Sequence, residues 1–212
     1  MLLIGAGSVL VLAGGLATLF QQPLRRLLAP PPVQGLNARL SLDGRLLGHF
    51  PYRQAPAEQL VALAPGVQLH REAAEAFRAM EAAAAADGIA LQVLSAYRSI
   101  ALQQRVFFDV KAERNQSAQE RARVSAPPGF SEHSTGYALD LGDGRLPGSH
   151  LSVSFESTPA FAWLQRHANR FHFSLSFPRN NRQGVSYEPW HWRFEGSSDA
   201  LRTFEAAQRL SR

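Results

Sequence analysis

The feature that most constrains this chain is the run Ser131–Asp140, in which a histidine precedes an aspartate by seven positions. From Tyr137 onward, apolar residues alternate with small or acidic ones, which is the pattern of a half-buried strand. The preceding residues 125–129, Ser-Ala-Pro-Pro-Gly, cannot be helical, so His133 arrives from a loop while Asp140 lies on a strand. A histidine and a carboxylate brought together from two backbone elements are typical of a divalent metal site.

A second stretch, Tyr187–Phe194, alternates in the same way. Its aromatic residues from Trp190 onward share a face that belongs in a core, so His191 points from the other face into a cleft. Glu188 precedes a proline and lies outside the alternation, where it can reach the same cleft without being a ligand. Two histidines and one aspartate leave a tetrahedral position open for water, as in a catalytic zinc site. A free carboxylate beside that water suits a general base.

Each of these assignments has a plainer alternative. The two histidines and the aspartate could form hydrogen-bonded core contacts, and Glu188 could form a salt bridge with Arg193 or another arginine. A surface ion pair contributes only about 0 to 1 kcal/mol, which is a weak reason for the placement of Glu188. All three candidate ligands, His133, Asp140 and His191, lie within two short motifs, and this favours the metal interpretation over core contacts. We therefore predict a Zn²⁺ site made by His133, Asp140 and His191, with Glu188 as the catalytic base.

The same motifs carry a family resemblance. Ser131–Asp140 has the pattern Ser-x-His-x-x-Gly-x-Ala-x-Asp, and Glu188–His191 reads Glu-Pro-Trp-His. Both resemble the zinc D,D-carboxypeptidases of the VanY type, which belong to the LAS group of peptidoglycan peptidases. Ser95–Ser99, Ser-Ala-Tyr-Arg-Ser, followed by Gln103, looks like the substrate-binding segment of that family. The three motifs occur in the family's order, and the similarity extends from about residue 48 to residue 194.

The resemblance implies removal of the C-terminal D-alanine from peptidoglycan stem peptides, with substrate contacts at Arg98, Gln103 and Ser131. The planar guanidinium of Arg98 would hold the C-terminal carboxylate of the peptide in a bidentate pair. Gln103, about one helical turn beyond Ser99, would face the same cleft and hold a peptide amide. The hydroxyl of Ser131 could instead order the loop that carries His133.

Two alternatives remain open at this stage. An L,D-carboxypeptidase or an endopeptidase on the same polymer would use the same chemistry. A zinc-stabilised cell-wall-binding module without turnover is a different class of protein, and it would have no need of Glu188 as a base.

Composition excludes several other classes of protein. With 212 residues, 45% hydrophobic and 18% charged, the chain is globular and of ordinary single-domain size. The net charge of +5 includes no basic run, so we expect no nucleic-acid partner. The absence of cysteine excludes disulfides, thiolate zinc ligands and a cysteine nucleophile. We expect a monomer.

The N-terminus contains an uncharged stretch, Leu2–Phe20, that is just long enough to span a bilayer. No basic residue precedes this stretch, which argues against a cleaved signal peptide. Arg25 and Arg26 follow it, and basic residues on that side argue against export of the domain. On functional grounds we expect a signal-anchor in the membrane, with the domain exported to the cell envelope, in the periplasm or at the outer face of the cytoplasmic membrane. We predict an N-terminal segment at residues 1–30 and a zinc carboxypeptidase domain at residues 31–212.

Hydrophobic periodicity predicts an α+β fold, with a small, mainly antiparallel sheet, helices packed on one face and the zinc cleft on the other. A final helix capped by Ser198 is predicted to pack through Leu201, Phe204 and Leu210. The other predicted elements are helices at 71–87, 99–113 and 159–169, a short helix within 115–124, and strands at 89–95 and 171–177.

Overall fold

The computed structural model describes Val33 and residues 35–211. The predicted signal-anchor, Leu2–Phe20, lies outside these residues, and so does the predicted boundary at residue 30. Among the described helices, none combines the length and the apolar character needed to cross a membrane. From Gly35 onward the chain forms a unit of its own, and the elements below belong to it.

The described residues form two antiparallel sheets. A two-stranded sheet pairs β1 with β2, and a four-stranded sheet has the order β3-β4-β6-β5. The strands are β1 (Leu60–Ala64), β2 (Val67–His70), β3 (Leu91–Ser95), β4 (Ala138–Asp143), β5 (Phe173–Leu175) and β6 (His191–Phe194). The predicted α+β class with a small antiparallel sheet is confirmed.

The described residues also form five α-helices, two of which begin at caps that the sequence predicts. Ser99 Oγ accepts from the amide of Leu102, and Thr158 Oγ1 accepts from the amide of Phe161 ahead of a proline at the first helical position. The helices are α1 (Arg71–Ala86), α2 (Ile100–Glu113), α3 (Ala118–Ala122), α4 (Pro159–His167) and α5 (Ser198–Ser211).

The prediction for the last helix is wrong in two details. Ser197 caps it, because Ser197 Oγ accepts from the amide of Ala200 at 3.3 Å, and Ser198 is already helical. Leu201 is 46% exposed, whereas Ala200 and Phe204 are fully buried. The buried side of α5 is formed by Ala200, Phe204 and Ala207, which leaves Leu201 turned towards solvent.

The apolar face of the four-stranded sheet carries the core. Tyr137, just before β4, lies there with Leu139 and Leu141 of β4 and the last aromatic residues of β6, and helices α1, α4 and α5 supply the opposing side chains. Burial of each aromatic side chain contributes roughly 1.5 to 3 kcal/mol. Helices α2 and α3 instead border the cleft on the other side of the sheet.

Strand register brings the polar residues of the opposite face together. Asp140 of β4 lies directly across from His191 of β6, so both side chains project to the same side. A register shift between Val93 and Ser95 of β3 sets Ser95 opposite Asp140 from the other neighbouring strand. Such bulges redirect side chains, and Ser95 Oγ accepts a hydrogen bond from Arg98, which lines the cleft.

Candidate metal centre and active site

His133 enters the site from a short 3₁₀ turn, Glu132–Thr135, that ends at Gly136. Gly136 has a φ of 72°, and a Cβ there would lie 2.9 Å from Leu60 Cδ2 and 3.0 Å from the amide nitrogen of His70. Only glycine meets both demands without strain. The turn can therefore close tightly against β1 and β2, which fixes where His133 lies.

Hydrogen bonds fix the orientation of His133. Its Nδ1 donates to the carbonyl of Ala96 at 2.7 Å, so Nε2 faces Asp140, at 3.3 Å from Oδ2. The backbone of the same loop also binds the turn, because the amide of Arg98 donates to the carbonyl of His133 and Ser134 Oγ donates to the carbonyl of Arg98. Burial lowers the pKa of His133, which favours the neutral imidazole that a metal requires.

His191 is oriented in the opposite sense. Its Nε2 donates to Glu132 Oε2 at 3.1 Å, and its Nδ1 lies 3.1 Å from Asp140 Oδ1. Burial opposes the charged form, but the hydrogen bonds with Asp140 and Glu132 raise the pKa of His191 to about 10. A cation held between Nδ1 and Asp140 would replace the Nδ1 proton, as metals do at such sites.

Three buried ligand atoms converge on one point. One atom each from His133, Asp140 and His191 lies within 4.8 Å of the others. The second nitrogen of each imidazole is already bound to an acceptor, which is the arrangement that fixes metal-ligating histidines. Although Asp140 is buried, the two histidines hold the pKa of its carboxyl well below its usual range. The donor set of two nitrogens and a carboxylate thus fits a divalent metal ion.

Glu188 lies beside this group and is not part of it. Its Oε2 is 3.9 Å from His191 Nδ1, and its side chain is buried. The alternative that Glu188 pairs with Arg193 is wrong, because Arg193 binds Glu132 and Glu195 instead. Burial raises the pKa of Glu188 to about 8, which makes it a carboxylate able to accept and return a proton near neutral pH.

Sequence reasoning missed Glu132. This fully buried acid accepts from His191, from Arg193 Nη1 at 2.9 Å and from Ser176 Oγ at 2.6 Å. Despite burial, Arg193 and His191 hold the pKa of its carboxyl far below its usual range. The alternation of β6 could have predicted a buried acid here. It places Arg193 on the same face of the strand as His191, and a buried arginine needs a carboxylate partner.

Arg98 reaches the cleft in a fixed orientation. Its Nη1 donates to Gln103 Oε1 at 2.9 Å and its Nη2 to Ser95 Oγ at 2.9 Å. The expectation that Gln103 faces the cleft is wrong: its side chain is fully buried, and its Nε2 donates to the carbonyl of Ala126 and to Ser125 Oγ. Gln103 therefore holds Arg98 in position, and a direct contact between Gln103 and substrate stays a prediction.

Ser131 and Arg98 both line a cavity of about 400 Å³ together with the metal group and Glu188. Ser131 makes no side-chain cap to the turn that follows it, and its carbonyl accepts the amide of Ser134 instead. The alternative that its hydroxyl orders the loop of His133 therefore gains no support from a side-chain cap, and it stays a prediction. Arg114 and Arg121, from α2 and α3 and their ends, line the same cavity.

Comparison with known proteins agrees with this arrangement. A family model described as VanY, D-alanyl-D-alanine carboxypeptidase, matches residues 66–197. The chain belongs to the VanY family. The matched segment contains His133, Asp140, Glu188 and His191, so the resemblance expected from the motifs is confirmed.

Curated relatives of the VanY family share about a third of the aligned residues. The chain is 36% identical over 134 residues to YodJ of Bacillus subtilis (strain 168), which is 62% of this chain and 48% of that protein. It is 34% identical over 131 residues to a D-alanyl-D-alanine carboxypeptidase of Enterococcus faecalis (strain ATCC 700802 / V583), which is 58% of this chain and 46% of the relative. The chain thus spans about half the length of these relatives.

Solved structures share the fold. An LD-carboxypeptidase, LdcB, is 30% identical with a TM-score of 0.62, and the match covers 76% of this chain and 82% of that one. VanYB in complex with D-alanine-D-alanine is 29% identical with a TM-score of 0.58, over 76% of this chain and 89% of that one.

Proposed function

We propose that this VanY-family chain is a zinc-dependent D,D-carboxypeptidase that removes the C-terminal D-alanine from peptidoglycan stem peptides. The observation that carries the proposal is Glu188, a buried carboxylate beside the donor group that forms no ion pair with any arginine of the described residues. A wall-binding module would gain nothing from a buried acid at this position, because burying it is costly. A hydrolase needs it as the general base.

Zinc is the metal that best suits this donor set. Two imidazole nitrogens and one carboxylate leave the fourth tetrahedral position for water. When bound, Zn²⁺ acts as a Lewis acid that lowers the pKa of a coordinated water towards neutrality. The chain also orients the two imidazoles, because His133 donates to the carbonyl of Ala96 and His191 donates to Glu132.

Glu188 moves the proton in the proposed reaction. Its carboxylate takes a proton from the attacking water as the water oxygen bonds to the scissile carbonyl carbon. When the carbon–nitrogen bond breaks, the same group returns the proton to the amine of the departing D-alanine. A pKa raised by burial suits both duties, because the group must be a base first and an acid afterwards.

Arg98 is proposed to read the free C-terminus of the peptide. Two of its five N–H donors are used by Gln103 and Ser95, which leaves donors for a carboxylate in the cavity. Because both partners are neutral, Arg98 keeps its full charge for the substrate. Ser131, which lines the same cavity, is proposed as a further polar contact to the peptide.

The bond that is cut distinguishes the D,D- from the L,D-carboxypeptidase alternative. The relative from E. faecalis is named for D-alanyl-D-alanine, whereas LdcB is described as an LD-carboxypeptidase. The deciding experiment is mass spectrometry of defined stem pentapeptides and tetrapeptides after incubation with the zinc-loaded chain. Loss of one alanine from the pentapeptide alone supports the proposal. Cleavage of the tetrapeptide alone moves the assignment to L,D-carboxypeptidase, and cleavage of neither peptide overturns both.

This substrate lies in the cell envelope, and we propose that the domain acts there after export. Anchoring through Leu2–Phe20 and a monomeric state stay predictions. Protease accessibility in intact spheroplasts, compared with lysed cells, tests export.

A further inference from the structure

Arg121 is an unusual arginine because it is buried without a carboxylate partner. Its side chain is only 7% exposed, and it makes one hydrogen bond, from Nη2 to the carbonyl of Val106 at 3.3 Å. Its Nε is buried with no partner. Among the described residues, no carboxylate lies within salt-bridge distance of it. A buried charge of this kind is costly unless something pairs with it.

The surroundings of Arg121 point to an anion in the cavity. Arg121, Arg114 and Arg98 all line the 400 Å³ cavity, and none of the three forms an ion pair with a described residue. Burial and the nearby charges of Arg114 and Arg98 lower the pKa of Arg121, although the charge of Glu188 raises it. The part of the cavity lined by Arg114 and Arg121 therefore carries positive charge.

A single carboxylate of the substrate cannot pair with both Arg98 and Arg121. In the proposed function, a bidentate pair with Arg98 engages both oxygens of the terminal carboxylate, which leaves the guanidinium of Arg121 without a carboxylate partner. Arginine binds carboxylates through paired, charge-assisted hydrogen bonds. An uncharged peptide segment would leave the buried cation as costly as before.

We infer that Arg121, assisted by Arg114, forms a second anion subsite that binds a further free carboxylate of the peptide substrate. The inference rests on the proposed function for the identity of the substrate. The chemical class is a peptide with two carboxylates: the C-terminal one and one nearer the N-terminus. In a stem peptide, the second carboxylate has two sources, the side chain of a diaminopimelate residue or the α-carboxylate of a γ-linked D-glutamate.

The test compares three pentapeptides that end in D-Ala-D-Ala, using the full chain loaded with zinc. The first has diaminopimelate and D-glutamate, the second has lysine in place of diaminopimelate, and the third has D-isoglutamine in place of D-glutamate. We expect one replacement to lower kcat/KM by about 10- to 100-fold, which identifies the source. Arg121→Met should lower kcat/KM for the preferred peptide by a similar factor and remove the difference between the peptides.

Controls separate this role from a structural one. Arg123→Met changes an exposed arginine two residues away that does not line the cavity, and it should leave the peptide preference intact. Arg121→Lys keeps the charge and should restore part of the preference if Arg121→Met destabilises the fold. A role for Arg121 at the scissile carbonyl would instead lower kcat equally for all peptides, which would overturn the inference.

The same experiment distinguishes failure of the second subsite from failure of the proposed carboxypeptidase function. If the wild-type chain cleaves all three peptides at equal kcat/KM, the second subsite is wrong while the carboxypeptidase stands. If it cleaves none, the proposed function fails, and calorimetry with the same peptides decides the subsite. An equal Kd for the two-carboxylate peptide in wild-type and Arg121→Met chains then overturns it.

Discussion

His191 Nε2 donates to Glu132 Oε2 at 3.1 Å, and this bond turns Nδ1 of the same ring towards Asp140. Glu132 in turn binds Arg193 at 2.9 Å in a buried ion pair. The choice of ring nitrogen at the metal site is therefore made by a residue that is not a ligand. Such outer contacts govern both the tautomer and the basicity of a metal-binding histidine.

Glu132→Gln is expected to weaken zinc binding about 10- to 100-fold, because the amide is a poorer acceptor and leaves the charge of Arg193 unbalanced. The free energy of unfolding should also fall by about 3 to 5 kcal/mol, since one partner of a buried ion pair is lost. Competition with a chromophoric chelator measures the first quantity, and chemical denaturation measures the second. Glu195→Gln, which also removes a partner of Arg193 but leaves the His191 bond, should keep the zinc affinity. Wild-type affinity in Glu132→Gln would refute the positioning role.

Glu188→Gln is expected to keep the fold and the zinc but to lower kcat by about 10²- to 10⁴-fold, because an amide cannot accept the proton of water. His191→Ala serves as the contrast, since it should lose zinc as well as activity. Metal analysis of the purified variants, alongside D-alanine release, separates the two effects. If Glu188→Gln kept a near-normal rate, another group would have to be the base.

Converting the C-terminal carboxylate of the substrate to an amide is expected to cost about 2 to 4 kcal/mol in transition-state stabilisation, because Arg98 then faces a neutral group in a partly buried cleft. Arg98→Lys should recover little activity, since an ammonium cannot hold both oxygens and cannot bind Gln103 and Ser95 at once. The measurement is kcat/KM for the peptide acid and its amide. Equal values would move the assignment from exopeptidase to endopeptidase.

His49 is expected to make the fold sensitive to mild acid. Burial lowers its pKa from 6.5 to about 4, although its Nε2 contacts the carbonyl of Ala122. Between these pH values the imidazole of His49 is protonated in the unfolded chain but neutral in the folded chain. The free energy of unfolding therefore decreases as pH falls from about 6.5 to about 4. The loss amounts to on the order of 3 kcal/mol over that range.

Denaturation of wild-type and His49→Gln chains at several pH values tests this expectation. The glutamine keeps an amide donor for the Ala122 carbonyl but does not titrate, so its stability should vary less between pH 6.5 and 4. The lowered carboxyl pKa values of Asp140 and Glu132 affect both chains alike and act only below about pH 4.5. His172→Asn, at an exposed histidine, should behave as the wild type does. Parallel curves for wild type and His49→Gln would contradict the assignment.

The sequence was sufficient to predict the metal group because local pattern decides it. Alternation along β4 and β6 puts Asp140 and His191 on the face opposite the aromatic residues, and antiparallel pairing then sets them side by side. The proline-rich run before His133 predicts its arrival from a loop. The caps at Ser99 and Thr158 are likewise local signals, which is why α2 and α4 begin where predicted.

What the sequence did not reveal depends on distant contacts. Glu132 and Arg193 are 61 positions apart, and nothing near either residue identifies its partner. Gln103 lies where helical spacing allows it to face the cleft, but the packing of α2 against residues 125 and 126 turns it inward to hold Arg98. Leu201 was expected in the core because it is apolar, whereas Ala200 and Phe204 take the buried positions of α5 and leave Leu201 46% exposed.

The bonds between the loop of Arg98 and the turn of His133 have a thermodynamic consequence. The amide of Arg98 donates to the carbonyl of His133, and the imidazole of His133 donates to the carbonyl of Ala96. An ion that orders His133 therefore also orders the segment of Arg98, which we propose binds the peptide terminus. Linkage is reciprocal, so we expect bound peptide to tighten zinc by the same factor by which zinc tightens the peptide. Under zinc scarcity, an enzyme with substrate would then keep its ion longer than one without.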